Sequence, residues 1–281
     1  MNDKSILRYP TALTIAGSDS GGGAGIQADL KTFSAIGVFG TSAITAITAQ
    51  NTLGVRSIQA VSPEILRDQI EAVFDDFTID AVKIGMLHDT AIIDTVANTL
   101  RARQPRVIIL DPVMISTSGS KLLKDEAIEA LIERLFPLAT LLTPNVHEAE
   151  YLAQCRINGV DDIEQAATRL LSLGCPAVLM KGGHLAGEKN DWLFRQDEET
   201  LRFTAPDIPT RNTHGTGCTL SSAIAAYMAL GESLEKAIAL SKQYVTNALK
   251  AGADVIAGHG HGPMNHFFQP VPLRAIQQDE P

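Results

Sequence analysis

Short apolar runs rich in β-branched residues alternate with amphipathic helical patterns along almost the whole chain, and this alternation restricts the possible folds more than any other feature. Strands are predicted at residues 12–16, 42–49, 81–84, 107–110, 141–143 and 177–180. Helices are predicted at residues 25–36, 63–74, 89–103, 124–135, 147–154, 162–173, 217–230 and 233–251. Several strands are almost entirely apolar, as in a sheet that is covered on both faces. We therefore expect a three-layer α/β fold, with a central, mostly parallel sheet and helices on both faces.

Two short apolar runs near the C-terminal third, residues 192–194 and 201–203, flank a polar turn, and this pattern predicts a β-hairpin. The sequence has no internal repeat and no composition typical of a domain linker, so we expect a single domain. The tail from residue 269 contains three prolines and little apolar periodicity, and it is expected to be loose.

Charge and composition exclude several classes of protein. The chain of 281 residues carries 32 acidic and 23 basic side chains, and its net charge of −9 is opposite to what a general nucleic-acid binder needs. The three cysteines form no Cys-x-x-Cys pair, so neither a disulfide framework nor a cysteine zinc site is expected. No apolar run is long enough to span a membrane, and residues 1–10 lack the apolar core of a signal peptide. These features predict a cytoplasmic protein without a membrane partner.

Chemically informative residues follow the predicted strands. In open α/β sheets, ligands bind beyond the carboxyl ends of the strands. The residues found there, in strand order, are Gly17, Gln50, Gly85, Asp111, Asn145 and Lys181. We expect these residues to lie along one edge of the sheet.

A first glycine-rich loop, residues 17–25, joins the first strand to the first helix. Four glycines within five residues exceed what a tight turn requires and favour a ligand role, with a plain strand-to-helix turn as the alternative. The loop lacks the Gly-Lys-Ser/Thr of a Walker A motif. A dinucleotide fingerprint is disfavoured as well, because no acidic residue occurs between Asp29 and Glu64.

A second glycine-rich segment, Thr-His-Gly-Thr-Gly-Cys-Thr-Leu at 213–220, opens a helix of small residues. Gly215, Thr216 and Gly217 would present free N–H groups to an anion at the positive end of that helix. Cys218 lies in its first turn, where the pKa of a thiol is expected to fall, so that the sulfur could act as a base beside an alcohol. The alternative for Cys218 is a small buried hydrophobic residue.

Two carboxylates point to a magnesium site. Asp111 ends a buried strand, and Asn145-Val-His-Glu148 follows the next one. Oxygen ligands that act largely through water suit Mg²⁺ near phosphates. The alternative for Glu148 is an acid of a first helical turn, facing the helix dipole.

Two lysines and one amide complete the candidate residues. Lys181 follows an apolar strand and could neutralise the charge of a phosphoryl group in transfer. Lys242 lies within a helix, where a solvated lysine is the plainer interpretation. Gln50 offers a donor and an acceptor, as an aminopyrimidine edge requires, with a polar strand cap as the alternative. The histidines at 184, 214, 259 and 261 lack metal-site spacing and are interpreted as loop residues.

Together these motifs resemble one known family. Thr-Ile-Ala-Gly-Ser-Asp at 14–19 and the Gly-Gly-Gly-Ala-Gly-Ile-Gln-Ala-Asp-Leu-Lys-Thr that follows are very similar to the N-terminus of hydroxymethylpyrimidine/phosphomethylpyrimidine kinases of thiamine biosynthesis. The similarity continues through motifs at 48–52, 83–87, 110–114, 143–145, 178–184, 214–221 and 262–267. It covers residues 11–268, which we expect to form one ribokinase-like domain between loose termini at 1–10 and 269–281.

The resemblance implies two reactions. A kinase of this family transfers phosphate from ATP, with Mg²⁺, to 4-amino-5-hydroxymethyl-2-methylpyrimidine (HMP) and then to HMP phosphate, giving the diphosphate. It implies that Gln50 and Asp29 hold the pyrimidine, with Gly17, Met86 and Val113 near it. It also implies an anion hole formed by Gly215, Thr216 and Gly217, with Cys218 near the hydroxymethyl group. Asp111, Asn145, Glu148, Lys181 and Lys242 would serve the phosphates, Asp111 and Glu148 also the metal, and the family is often dimeric.

One departure from the family pattern concerns the second transfer. The family commonly has Ala-Lys-Ser-Gly after the Asp-Pro-Val-Met strand, whereas this chain has Ser116-Thr117-Ser118-Gly119. A lysine that would contact a phosphate is therefore missing. Two alternatives stay open: a pyridoxal kinase of the same fold, disfavoured by Gln50, and a non-catalytic pyrimidine or nucleotide sensor, disfavoured by the joint presence of Lys181, Glu148 and Cys218.

Overall fold

A nine-stranded sheet forms the centre of the protein. The computed structural model describes residues 7–115, 119, 122–124, 126–182 and 189–277. Its strands, numbered in chain order, are β1 (Leu7–Arg8), β2 (Thr11–Asp19), β3 (Phe39–Asn51), β4 (Gly54–Ala60), β5 (Ala81–Ile84), β6 (Ile108–Leu110), β7 (Leu141–Leu142), β8 (Ala177–Lys181), β9 (Lys189–Arg195), β10 (Leu201–Ala205) and β11 (Ile276–Gln277). The order in the large sheet is β10-β9-β8-β7-β6-β5-β2-β3-β4.

The six central strands, from β8 across to β3, are mutually parallel, and antiparallel strands lie at both edges. This arrangement confirms the predicted mostly parallel sheet. The predicted hairpin is confirmed as β9 and β10, and β9 extends the sheet antiparallel to β8. At the other edge β4 pairs antiparallel with β3, a strand that was not predicted from the sequence.

Within the described residues, eight α-helices cover the sheet, and all of them were predicted, with ends shifted by at most a few residues. They are α1 (Gly25–Ile36), α2 (Pro63–Asp76), α3 (Thr90–Arg103), α4 (Glu126–Leu135), α5 (Val146–Leu152), α6 (Val160–Ser172), α7 (Thr216–Ala229) and α8 (Leu234–Gly252). One apolar core lies between the sheet and α2 to α6, and a second lies between the opposite face and α1, α7 and α8. Both faces are therefore covered, as predicted. In the described part of the chain, no helix is both long enough and apolar enough to cross a membrane.

The two cores arise from the alternation of side chains along the strands. In β2, Leu13 and Ile15 face the α2–α6 side, whereas Ala12 faces the opposite core. Small residues of α7 such as Ala223 and Ala225 are fully buried against that second face. This packing holds the first turn of α7 at the carboxyl ends of the parallel strands.

The described parts of both chain ends are attached to the domain, so the expectation of loose termini is wrong there. Residues 7 and 8 pair antiparallel with residues 277 and 276. Arg8 makes two 2.7 Å hydrogen bonds to Asp80, and Val271 donates its N–H to the carbonyl of Ala35 at 3.0 Å. The prolines of the tail therefore do not prevent backbone pairing.

Candidate active site

Charged side chains meet where β6 and β8 end. Asp111, only 1% exposed, directly follows β6, and Lys181 is the last residue of β8. The Lys181 ammonium lies 2.7 Å from Asp111 Oδ1 and 3.9 Å from Glu148 Oε2. Thr143 donates its hydroxyl to Asp111 Oδ1 at 3.2 Å, and Ser221 of α7 donates to Oδ2 at 3.3 Å. The structure thus brings together three of the residues predicted to serve phosphates.

Glu148 is positioned by the start of α5. Its carboxylate accepts the N–H of Asn145 at 2.7 Å, and the Asn145 side chain accepts the N–H of Glu148 at 2.9 Å, which makes a reciprocal capping box. Glu148 therefore lies in the first turn of α5, as its alternative interpretation predicted, and this placement fixes its carboxylate. The side-chain oxygen of Asn145 is used to cap α5, and its backbone N–H fixes the orientation of the Glu148 carboxylate.

The pKa values of the two carboxyl groups are shifted in opposite directions. Burial raises the pKa of Glu148 to about 7, assisted by the negative charge of Asp111 and opposed by Lys181. Burial would also raise the pKa of Asp111, but Lys181 and Lys83 outweigh it and leave that pKa below its usual value. Asp111 is therefore ionised at neutral pH, whereas Glu148 titrates close to it.

The start of α7 lies against this cluster. Gly215 is the N-cap of α7 with φ of +81°, and a Cβ there would lie 1.8 Å from the carbonyl oxygen of Gly23. A Cβ on Gly217 would lie 3.4 Å from the Lys181 ammonium and 3.8 Å from Asp111 Oδ2. The glycine at 215 thus allows the two glycine loops to meet, and the first turn of α7, where Thr216 and Gly217 lie, has its positive end near Lys181.

Cys218 corrects one expectation from the sequence. Burial raises the pKa of its thiol to about 11, although Lys83 acts in the opposite direction. The desolvation of the sulfur thus outweighs the effect of the helix N-terminus, and the thiol is protonated at neutral pH. The expected acidic thiolate is wrong, and with it the reason for assigning the role of base to Cys218.

Lys242 does not extend freely toward the ends of the strands. Its ammonium pairs with the carboxylate of Asp191, whose Oδ1 accepts the N–H of Gly182 at 3.1 Å. Burial raises the pKa of Asp191 in spite of Lys242. The lysine is buried near the end of β8, so the interpretation as a solvated helix lysine is wrong, and its charge already has a partner inside the protein.

The first glycine loop encloses a carboxylate of the protein itself. Asp19 accepts the backbone N–H groups of Gly21, Gly23 and Ala24 at 2.7, 3.1 and 2.9 Å. Burial would raise the pKa of Asp19, but the hydrogen bonds from His214 and from the backbone lower it. Asp19 therefore occupies these three amides, as a structured strand-to-helix turn requires, and the ligand role of the loop stays a prediction.

Gln50 lies close to the junction of the two glycine loops. It is the penultimate residue of β3, and its Nε2 is 3.3 Å from Nε2 of His214. The same histidine nitrogen is 2.9 Å from Asp19 Oδ2. The three side chains connect the first glycine loop, the second glycine loop and the end of β3.

A small apolar cluster joins β3, which also carries Gln50, to the segments that follow β5 and β6. Met86 is buried together with Ala46, and Val113 packs against the same cluster. Gly17 adjoins it, since a Cβ there would lie 2.9 Å from the sulfur of Met86. The structure thus brings together three of the residues predicted to pack near a flat ring.

Asp29 is placed differently from the prediction. Its carboxylate is fully buried and accepts hydrogen bonds from Thr14 at 2.6 Å, from Lys83 at 2.9 and 3.0 Å, and from Ser222. Both oxygens are therefore used inside the protein. Direct contact of Asp29 with a ligand is not what this geometry supports.

Sequence reasoning missed the pair of Asp19 and His214. It also missed the ion-pair partners of Lys181 and Lys242. Asp19 lies in the first glycine loop and His214 directly precedes the glycines of the second, which was the available signal. Within the described residues, no group of three or more His, Cys, Asp or Glu side chains is arranged to hold a metal ion by itself. Ser116, Thr117 and His184, which the sequence analysis singled out, lie outside the described residues.

Comparisons with known proteins agree with the resemblance. A family model described as phosphomethylpyrimidine kinase matches residues 19–265. The hydroxymethylpyrimidine/phosphomethylpyrimidine kinase of Rhizobium meliloti is 51% identical over 260 residues, which are 92% of this chain and 97% of that protein. The thiamine biosynthesis bifunctional protein of Geobacter sulfurreducens is 48% identical over 265 residues, and the match spans 94% of this chain and 54% of that longer protein.

A solved structure supports the fold. The ADP complex of a pyridoxal kinase from Bacillus subtilis superposes with a TM-score of 0.85 at 36% identity, covering 92% of this chain and 98% of that chain. The expected ribokinase-like architecture is confirmed by this likeness.

Proposed function

Because the chain belongs to the phosphomethylpyrimidine kinase family, we propose that it transfers phosphate from ATP to HMP and then to HMP phosphate, in the biosynthesis of thiamine diphosphate. The observation that carries the proposal is the position of Gly217, next to both Lys181 and Asp111. A transferring phosphoryl group would there meet helix amides and an ammonium together. Phosphoryl transfer depends mainly on such positioning and charge stabilisation.

The nucleotide would lie on the side of Asp111, Glu148 and Lys181. Asp111 and Glu148 offer the carboxylate oxygens that Mg²⁺ prefers, and Mg²⁺ commonly binds one or two carboxylates, water and substrate phosphates. The donor set therefore fits a water-mediated ion. When bound, that ion would neutralise phosphate charge. Lys181 would add its own positive charge, and Asp111 would keep that ammonium in place.

The pyrimidine would lie on the side of Gln50, with Met86 and Val113 against its ring. The Gln50 amide would pair with the amino edge, and Cys218 would adjoin the hydroxymethyl group as a neutral thiol. Since the thiol is protonated, the alcohol proton would leave to the phosphate or to water rather than to Cys218. The network of Asp111, Lys181 and the α7 amides would orient the groups that react.

A pyridoxal kinase activity is the second candidate, favoured by the structural likeness reported above. Pyridoxal is also a hydroxymethyl heteroaromatic, but it lacks an aminopyrimidine edge for Gln50. The test is an assay that couples ADP release to a spectroscopic signal, with HMP, HMP phosphate and pyridoxal at equal concentrations. Faster turnover of the two pyrimidines supports the proposal, and a preference for pyridoxal refutes it.

The proposal includes a homodimer in the cytoplasm, with small molecules rather than nucleic acid as partners. The family resemblance supports the dimer, and the net charge of −9 disfavours nucleic acid. Light scattering at assay concentration tests the dimer, for which a mass near twice 30.0 kDa is expected.

A further inference from the structure

The carboxamide of Gln50 lies between two polar neighbours. As placed, its Nε2 end is 3.3 Å from Nε2 of His214, and its Oε1 end is 3.1 Å from the hydroxyl of Thr48. The oxygen and nitrogen ends of a carboxamide have nearly the same shape, so the hydrogen-bonding capacity of the neighbours decides which end faces which. Both neighbours constrain this choice.

On the histidine side the constraint comes from Asp19. Its carboxylate is ionised and can only accept hydrogen bonds, and its Oδ2 lies 2.9 Å from His214 Nε2. That ring nitrogen must therefore carry a hydrogen. A protonated ring nitrogen has no lone pair for an amide N–H. The single ring hydrogen is then shared between Asp19 at 2.9 Å and Gln50 at 3.3 Å, so the end of Gln50 that faces His214 should be the carbonyl oxygen.

On the threonine side the constraint comes from the backbone of β2. The Thr48 hydroxyl lies 2.9 Å from the carbonyl oxygen of Ser18, which can only accept. The single hydroxyl proton is used there, so the hydroxyl oxygen is left to accept a hydrogen bond. The end of Gln50 that faces Thr48 should therefore be the NH₂ group, and both neighbours require the same orientation.

We infer that Asp19, His214 and Thr48 are positioning residues that hold the Gln50 carboxamide with its oxygen toward the second glycine loop and its NH₂ toward β2, which makes the site selective for a ring with an amino group beside a ring nitrogen. This inference rests on the proposed function. In HMP the amino group is on the carbon next to the one that bears the hydroxymethyl group. Pairing the amino group with the oxygen on the His214 side directs the hydroxymethyl group toward the segment that continues into Gly215–Gly217. The opposite amide orientation would direct it away from these residues.

The test compares HMP with an analogue that lacks only the amino group. The variant His214→Met removes the ring N–H and keeps a similar bulk, whereas His214→Gln restores an N–H near the same position. We expect His214→Met to raise KM for HMP about tenfold, the effect of one lost hydrogen bond. KM for ATP and KM for the analogue should stay within about twofold of the wild type. His214→Gln should recover most of the affinity for HMP.

Two further variants separate positioning from a general loss of structure. Thr48→Val acts on the other end of Gln50 and leaves His214 in place, and it should give the same selective loss with HMP. In a Gln50→Ala background, His214→Met should have little additional effect, because it acts through Gln50. Equal losses with HMP and with the analogue that lacks the amino group would overturn the inference. Additive losses in the double variant, or failure of His214→Gln to restore the affinity for HMP, would overturn it as well. A wild-type enzyme that phosphorylates neither pyrimidine would instead refute the proposed function, and this result is visible before any variant is made.

Discussion

Beneath the start of α7, the ammonium of Lys83 lies 2.9 and 3.0 Å from the two oxygens of Asp29, and neither side chain is exposed to solvent. Burial would lower the pKa of Lys83, but Asp29 raises it above its usual value. A Cβ on Gly85 would lie 2.7 Å from this ammonium, so glycine leaves the space that the charge occupies. The pair connects β5 with α1, and removal of one partner would leave an uncompensated buried charge.

The variant Lys83→Met is therefore expected to lower the free energy of unfolding by about 3–5 kcal/mol. Thr14 and Ser222 would still donate to Asp29, but they cannot neutralise it. Urea denaturation at neutral pH measures the loss. The matched control is the double variant Lys83→Met/Asp29→Asn, which carries no buried charge, keeps an acceptor for one of the two hydroxyls and offers an NH₂ donor to the oxygen of the other. It should recover at least half of the loss, and equal instability of the single and double variants would contradict this account.

Glu148 makes a second prediction possible at the scale of one residue. Because the pKa of Glu148 is raised to about 7, the carboxyl group is protonated and neutral below that pH and ionised above it. We expect the Mg²⁺ concentration for half-maximal activity to fall as pH rises from about 6 to 8, since the ionised form attracts the metal. In Glu148→Gln the requirement for Mg²⁺ should be close to that of the wild type near pH 6, exceed it increasingly toward pH 8, and follow only the titration of ATP itself. A wild type and a variant with identical pH dependence would argue against Glu148 as a metal-directed group.

At the scale of elements, α7 has a glycine in the left-handed region at each end. Gly215 precedes the helix with φ of +81°, and Gly231 follows it with φ of +88°. A Cβ on Gly215 would collide with the carbonyl group of Gly23, whereas a Cβ on Gly231 would have no atom within 4 Å among the described residues. The two positions thus separate the cost of the backbone conformation from the cost of pushing the glycine loops apart.

We expect Gly231→Ala to cost about 1–2 kcal/mol of stability, the usual cost of that conformation, with activity close to normal. Gly215→Ala should cost more, and it should lower kcat about a hundredfold because it displaces the helix amides that face Lys181. Chemical denaturation and the ADP assay measure the two quantities on the same preparations. Similar kinetic effects of the two substitutions would show that the contact between the glycine loops does not position the site.

The elements themselves were largely predictable, because their signals are local. Asp89 caps α3 with a hydrogen bond to the N–H of Ile92, and Ser233 caps α8 through Lys236 in the same way. Each cap lies within three residues of the group it satisfies. The edge strand β4 was missed because an exposed strand has no continuous apolar run to mark it.

The candidate site was only partly predictable, and the reason is again distance along the chain. Asp111 and Lys181 follow parallel strands, so topology alone brings them to one edge. Asp19 and His214, by contrast, are 195 residues apart, and no periodicity links them. The raised pKa of Cys218 was missed for a related reason, since the burial of the thiol and the nearby charges of Asp29 and Asp111, which raise that pKa, come from segments that are distant in the chain.

At the scale of the whole molecule, the ends of the chain lie away from this chemistry. Residues 271 and 274 donate backbone N–H groups to Ala35 and Gly37, at the C-terminal end of α1. β1 and β11 form a separate two-stranded sheet. The residues proposed to bind ligands lie at the carboxyl ends of the parallel strands, whereas this attachment joins the opposite end of α1. Stability and activity should therefore respond differently to changes in the tail.

Removal of residues 269–281 is expected to lower the melting temperature by about 2–8 °C, because a few backbone hydrogen bonds are lost at roughly 1 kcal/mol each. kcat and both KM values should stay within about twofold of the full-length protein. The point variant Val271→Pro removes one of these N–H donors and should give part of the same shift, whereas Val271→Ala keeps the N–H and should give less. Thermal melts and the ADP assay on all four proteins provide the comparison. A truncated protein that keeps its melting temperature but loses activity would contradict this division, and it would assign the tail to the active site instead.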